Sequence, residues 1–277
     1  MKKRLPVSAH IYSALMFIFL YAPIVVLVVF SFNSGKSMSV FSGFSLHWYQ
    51  ELFRDNATLD AFKNTLIIAV LSSLISTVMG TAAATAIFKY KNKLFKKAVM
   101  TVTNIPMMNP EIVTGISMML LFVFIGSIFG RSDSLGFGTV LIAHVTFELP
   151  YVILNVLPKL KQTDPNLFEA AQDLGCTPIK AYFKVVLPAI ISGVVSGLVM
   201  AFTLSVDDFI ISYFVSGPTS QTLPIRIFSM TKKRVTPDMY ALSTLIFVAI
   251  LALLILSNLI GSKDNKPKNL KKGGAKK

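Results

Sequence analysis

Six apolar stretches of about twenty to thirty residues, set apart by polar or basic segments, leave this chain few ways to fold. A run of that length matches the hydrocarbon thickness of a bilayer when it is coiled as a helix. Such a helix satisfies its own backbone donors and acceptors where water cannot. The runs cover about 11–32, 65–88, 98–129, 137–157, 189–207 and 241–260. The expected fold class is therefore all-α, a polytopic membrane protein with six transmembrane helices. Composition agrees, with 53% hydrophobic and 14% charged residues, against roughly 25% charged in soluble domains.

The formal net charge of +14 would suggest nucleic acid on a soluble domain. Here the basic residues flank apolar spans, and the positive-inside rule accounts for them without a nucleic-acid partner. Three lie before the first run, five between Lys89 and Lys97, four at Lys159, Lys161, Lys180 and Lys184, and seven after the sixth run. That leaves eight of the 27 for the opposite side. Both termini and the 158–188 loop are thus expected in the cytoplasm, framing a transmembrane domain of 11–262 between a 1–10 N-terminus and a basic 263–277 tail. The first run exceeds a signal-peptide core and lacks a following cleavage site, so it reads as an uncleaved anchor. The single cysteine, Cys176, excludes an intrachain disulfide, and no metal site can be built around it.

The loop between the fourth and fifth runs carries its own punctuation. Asp164 is a suitable N-cap and Pro165 suits a first helical position. Leu167, Phe168, Ala171 and Leu174 then share one face of a helix of about ten residues. Gly175 is placed to end it in the left-handed conformation. Thr177-Pro178 repeats the start signal, so a second helix is expected to leave at an angle and run to Pro188. The two arms form an L-shaped bracket outside the membrane.

Carboxylates are scarce and therefore informative. Glu111, Glu148, Asp207 and Asp208 lie in or at the edges of spans, where each costs about 2.5–3.5 kcal/mol if it reaches the bilayer centre. They are expected to face a cavity or a partner, beside helix breaks at Pro110, Pro150 and the turn after the fifth span. Glu111 can line a pathway or merely cap the helix after Pro110. Glu148 can meet substrate or bond a neighbouring helix. The adjacent Asp207-Asp208 pair, with Phe209 and Tyr213, has the clearest promise as a pathway for a small cation. The Gly193 and Gly197 spacing, and Ser76, Gly80 and Ala84, suit close helix contact.

Nothing in the chain points to catalysis. HExxH and GxSxG are absent, and His10, His47 and His144 are far apart. His144, inside the fourth span, is expected to be hydrogen-bonded. Gly35-Lys-Ser37 is not a phosphate loop, because the glycine required five residues earlier is Phe30. With no Walker A loop, any ATP and Mg must be bound by another chain, and no cofactor is expected in this one.

The bracket resembles the "EAA" loop of membrane subunits of bacterial ABC importers. Glu169-Ala170-Ala171, Gly175, Leu187 and Pro188 fall at that pattern's spacings, with Val185 where it has Ile. Further stretches, 106–112, 203–209, 214–218 and 223–229, are similar to permeases of spermidine/putrescine importers. The resemblance implies a type I ABC importer permease (MetI-like) fold in the bacterial inner membrane. It also implies a homologous sister permease, two ATPase subunits, and an extracytoplasmic polyamine-binding protein. On this reading Leu167, Phe168, Ala171 and Leu174 offer an apolar ridge to the ATPase, and Glu169 and Asp173 meet basic groups. Ala170 and Ala171 allow close approach, while Gly175 sets the angle. The same architecture moving thiamine, ferric ion or another organic cation stays open, as do an ion-coupled carrier or channel and a scaffold that anchors an ATPase.

Overall fold

The computed structural model describes residues 7–35, 40–130, 134–233 and 237–264. The basic N-terminal residues and the lysine-rich tail lie outside the described residues. All regular elements among those described are helical. Five helices are long and apolar enough to cross a membrane, and a shorter apolar stretch follows at Asp238–Ala252. The chain divides into two compact units, one of residues up to Lys63 with Leu223–Leu251, the other of Asn64–Thr222 with the residues from Ala252 onward.

In the first unit, helix α1 (Val7–Phe30) is apolar and exposed along its length. The turn after it is tied by side chains. Asn33 accepts from the Ser42 amide at 2.7 Å, and its backbone carbonyl accepts from the Trp48 indole at 2.7 Å. Trp48, on α2 (His47–Leu52), is thus 6% exposed with its N–H satisfied. Leu52, Ala61 on α3 (Asn56–Lys89), Leu223 on α11 (Leu223–Lys233) and Leu242 on α12 (Pro237–Asp264) make the unit's apolar cluster. An ion pair of 2.9 Å between Arg226 and Asp55 lies within the same unit.

The second unit is organised around α6 (Phe137–Gln162). Val152 on α6 meets two glycines. A Cβ at Gly80 of α3 would stand 2.6 Å from its Cγ1, and one at Gly197 of α9 (Leu187–Asp207) 3.3 Å from the same atom. A Cβ at Gly193 would stand 2.6 Å from Lys159 Cγ and 3.0 Å from the Asn155 carbonyl oxygen. Small residues at four-residue spacing let α3 and α9 approach α6 closely enough for dispersion contacts, which drive helix association where lipid is as apolar as leucine. The surrounding cluster includes Ala84, Ile87, Ile153, Val156, Leu160 and Ile190.

The third apolar run is broken at Pro110, while Pro106 stays inside a helix. Helix α4 (Lys93–Met108) stops at Asn109, and α5 (Glu111–Ile128) starts behind Pro110. Two boundaries differ from expectation. Helix α6 runs through Pro150, where a break was expected, and through Pro158 to Gln162, five residues past the expected limit of the run at 157. The second arm does not stop at Pro188. Helix α8 (Pro178–Ala181) passes through a π turn at Tyr182–Val186 directly into α9. Proline removes one helical donor and crowds the carbonyl four residues back. The widened turn relieves that crowding, and the Leu187 amide bonds Tyr182, five residues back. A one-turn π bulge thus absorbs a proline that would otherwise break the helix.

Candidate functional site: the bracket and a buried polar cluster

The first arm of the bracket is shorter than the sequence suggests. Asp164 Oδ1 accepts from the Asn166 amide at 2.9 Å, making a turn over Pro165 rather than a helical cap. Helix α7 (Leu167–Asp173) follows. Its end matches the glycine signal. Gly175 has φ +85°, its amide bonds the Gln172 carbonyl at 2.8 Å, and the Cys176 amide bonds Ala171 at 3.0 Å. These paired bonds are a Schellman stop, which needs a left-handed residue at Gly175.

The expected apolar ridge splits between two directions. Ala171 is 6% exposed, and Phe168 packs against the core cluster of α3, α6 and α9. Leu167 is half-buried. These three anchor α7 to the chain's own body, because a seven-residue helix cannot hold its place by hydrogen bonds alone. The outward surface consists of Glu169, Ala170, Asp173, Leu174 and Gly175, with Leu174 86% exposed. At the far end, Leu187 packs inward and Pro188 is exposed.

Inside the spans, the structure gathers only some of the carboxylates. Glu148 is fully buried and accepts from Ser72 at 2.7 Å and Ser76 at 2.8 Å, both on α3. Ser72 also meets Ser205 of α9 at 3.1 Å. Ser205 in turn meets His144 Nδ1 at 2.7 Å. His144 Nε2 faces Ser212 on α10 (Ile210–Val215) at 2.9 Å and Asp208 at 3.4 Å. Asp208 accepts from the Ser212 amide at 2.8 Å and the Ile211 amide at 3.3 Å, and so starts α10.

The hydroxyls of Ser72 and Ser76 donate to Glu148, and Ser205 joins that group to the His144 ring. Four helices are clasped by one polar cluster in an apolar surrounding.

The pathway expectations therefore separate. Glu148 is fully buried, and each of its oxygens accepts from a serine of α3. The Asp207-Asp208 pair diverges, because the helix ends between them: Asp208 is buried against His144 and Asp207 is exposed. Phe209 and Tyr213 pair with ring centroids 5.5 Å apart, and Tyr213 is 45% exposed. Glu111 is exposed in the first turn of α5 and takes no part in the cluster. Ser72, Ser205 and Ser212 escaped sequence reasoning, and Ser76 was read only as a small residue for close helix contact. One signal was present: His144 and Glu148, like Ser72 and Ser76, are four residues apart and share a helix face.

Comparison with known proteins settles the family. Residues 76–262 match the family described as binding-protein-dependent transport system inner membrane component. This chain belongs to that family. It is a multi-pass membrane protein. It is 40% identical over 256 residues to the spermidine/putrescine transport system permease protein PotC of Haemophilus influenzae, covering 91% of this chain and 97% of that one. It is 40% identical over 234 residues to the putrescine transport system permease protein PotI of Escherichia coli K12, covering 84% and 83%. The fold is similar to that in a crystal structure of a bacterial ABC transporter involved in import of alginate, with TM-score 0.73, 20% identity, and coverage of 94% and 96%. The type I importer permease fold expected from the bracket is the fold observed.

Proposed function

We propose that this chain is a membrane permease subunit of an ABC importer that carries spermidine or putrescine into the bacterial cytoplasm. It pairs with a homologous sister permease, two ATPase subunits that hold ATP and Mg, and an extracytoplasmic binding protein. The chain performs no chemistry; it converts ATPase movement into alternating access, a rigid-body transition. Both termini and the bracket lie on the cytoplasmic side, and six spans within 11–262 form the membrane domain.

The observation that carries the reading is the outward face of α7. A short helix presents Glu169, Ala170, Asp173 and Leu174 to solvent, stopped by a left-handed Gly175. Its inner face is committed to the core, so the exposed leucine and two carboxylates are free for a partner. Names of relatives at 40% identity supply the substrate class. Asp207, Phe209 and Tyr213 suit it chemically, since a polyamine ammonium favours a carboxylate beside aromatic faces. The buried Asp208 and Glu148 hold helices rather than substrate.

The test is uptake of labelled spermidine and putrescine by proteoliposomes containing the co-purified complex. ATP-dependent uptake requiring the binding protein is expected. Uptake with no ATPase present would favour an ion-coupled carrier, and ATP-driven uptake of thiamine or ferric ion alone would replace the substrate.

A further inference from the structure

We propose that Lys89 is a positioning residue for energy coupling, because its ammonium seats on Phe168 and ties the bracket to the end of α3. This rests on the coupling role assigned to α7 above. Lys89 closes α3, and its Nζ stands 3.5 Å from the centroid of the Phe168 ring. A cation is favoured at that helix end by the exposed carbonyls of the last turn. The aromatic face adds a directed attraction.

A second tie reaches the other arm from the same helix end. Thr85, one turn earlier on α3, donates to the Thr81 carbonyl at 2.8 Å. Its oxygen is then left to accept from the Tyr182 hydroxyl at 3.2 Å. Tyr182 opens the π turn of the second arm. Helix α3 therefore grips the bracket on both sides of Gly175.

The space between the grips is not filled. A cavity of about 270 Å³ lies there, lined by Thr85, Phe88, Lys89, Asp164, Phe168 and Glu169 among others. Across a dense interface, displacement is carried by many contacts. Beside the gap α7 meets the core through Phe168 and Ala171, and Lys89 adds a charged tie from the end of α3 to the same Phe168 ring. Movement of α7 by an ATPase thus reaches α3, the helix that also carries Ser72, Ser76 and Gly80 into the packed centre of the unit.

The test uses the complete complex in proteoliposomes, with ATP hydrolysed per spermidine taken up as the readout. Lys89→Met keeps the apolar stem and removes the charge. It is expected to raise that ratio about threefold, the scale of an exposed cation–π contact, with membrane insertion and ATPase co-purification unchanged. Lys89→Arg, which keeps a cation over the ring, should restore the wild-type ratio. Phe168→Leu should match Lys89→Met, and the double variant should be no worse than either. A wild-type ratio in Lys89→Met, or additive effects in the double variant, overturns the clamp. A wild-type complex with no ATP-driven uptake overturns instead the functional reading beneath it.

Discussion

Glu148 offers the sharpest test of whether the buried cluster holds helices or moves substrate. Its oxygens accept one hydroxyl each from Ser72 and Ser76. Polar side-chain bonds between membrane helices contribute about 0.6 kcal/mol each, with about 1.7 as the observed maximum. Glu148→Gln keeps the shape and one good acceptor. The serine facing the amide NH₂ can turn its proton to its own helix, where Ser76 already approaches the Ser73 carbonyl at 3.2 Å and Ser72 the Ala69 carbonyl at 3.4 Å. The expected cost is one bond, about 0.6 kcal/mol. Glu148→Ala loses both bonds and leaves a cavity at a fully buried position, for a total of about 3 kcal/mol. Reversible unfolding in mixed micelles reads both values, and spermidine uptake by the same preparations reads function. Glu148→Gln should unfold close to wild type and keep uptake within about threefold, the factor that 0.6 kcal/mol represents. A Glu148→Gln protein that is as stable as wild type but loses uptake more than about tenfold would refute the clasp and return the carboxylate to the transport pathway.

Three further outcomes follow from the geometry. Gly80→Ala places a Cβ 2.6 Å from Val152 Cγ1 and should destabilise by about 1–3 kcal/mol. Gly197→Ala, with its nearest contact at 3.3 Å, should cost less, and Val152→Ala should relieve the Gly80→Ala defect in the same unfolding measurement. Asp207→Asn should raise the apparent KM for spermidine about threefold, the scale of an exposed ion pair, whereas Asp208→Asn should lower the yield of folded protein; the reverse pattern would exchange their roles. Burial of Asp55 favours its neutral form, but hydrogen bonds from Thr58 and Arg226, with the Arg226 charge, outweigh that and hold its pKa below the usual aspartate range. A depressed folded pKa gives stability that is present above the unfolded value, about 4, and is lost as pH falls through the folded one. Asp55→Asn should therefore be less stable than wild type at pH 7 and converge with it below about pH 4; a gap independent of pH would show that the ion pair contributes nothing.

Much of the fold was legible in the chain because its signals are local. Proline at 110 stops a helix by its own ring, and Gly175 permits a left-handed turn by lacking a side chain. Each apolar run is long enough to span on length alone. The bracket's existence, its stop and its surface carboxylates follow from such rules. Local proline rules failed at Pro150, which α6 runs through, and at Pro188, where the chain widened one turn at Tyr182–Val186 instead of breaking.

What only the tertiary structure decided is which face of each helix turns inward. In water an apolar stripe reveals the buried face, but lipid and protein interior are equally apolar, so hydropathy cannot choose between them. The window in Ser8–Phe30 has mean hydropathy 2.6 and none of it is buried, while that in Phe137–Gln162 has 1.8 and is half buried. Helix rotation then fixed every long-range assignment. It set Ser72 against Glu148, 76 residues away, and His144 against Ser205, 61 away. It turned Asp208 inward and left Asp207 outside, and it pressed Phe168 and Ala171 onto the core while Leu174 stayed free. The sequence by itself determined that this chain crosses the membrane repeatedly and carries a glycine-stopped bracket between the fourth and fifth runs. Packing determined which of its polar groups hold the spans together and which remain available for a partner.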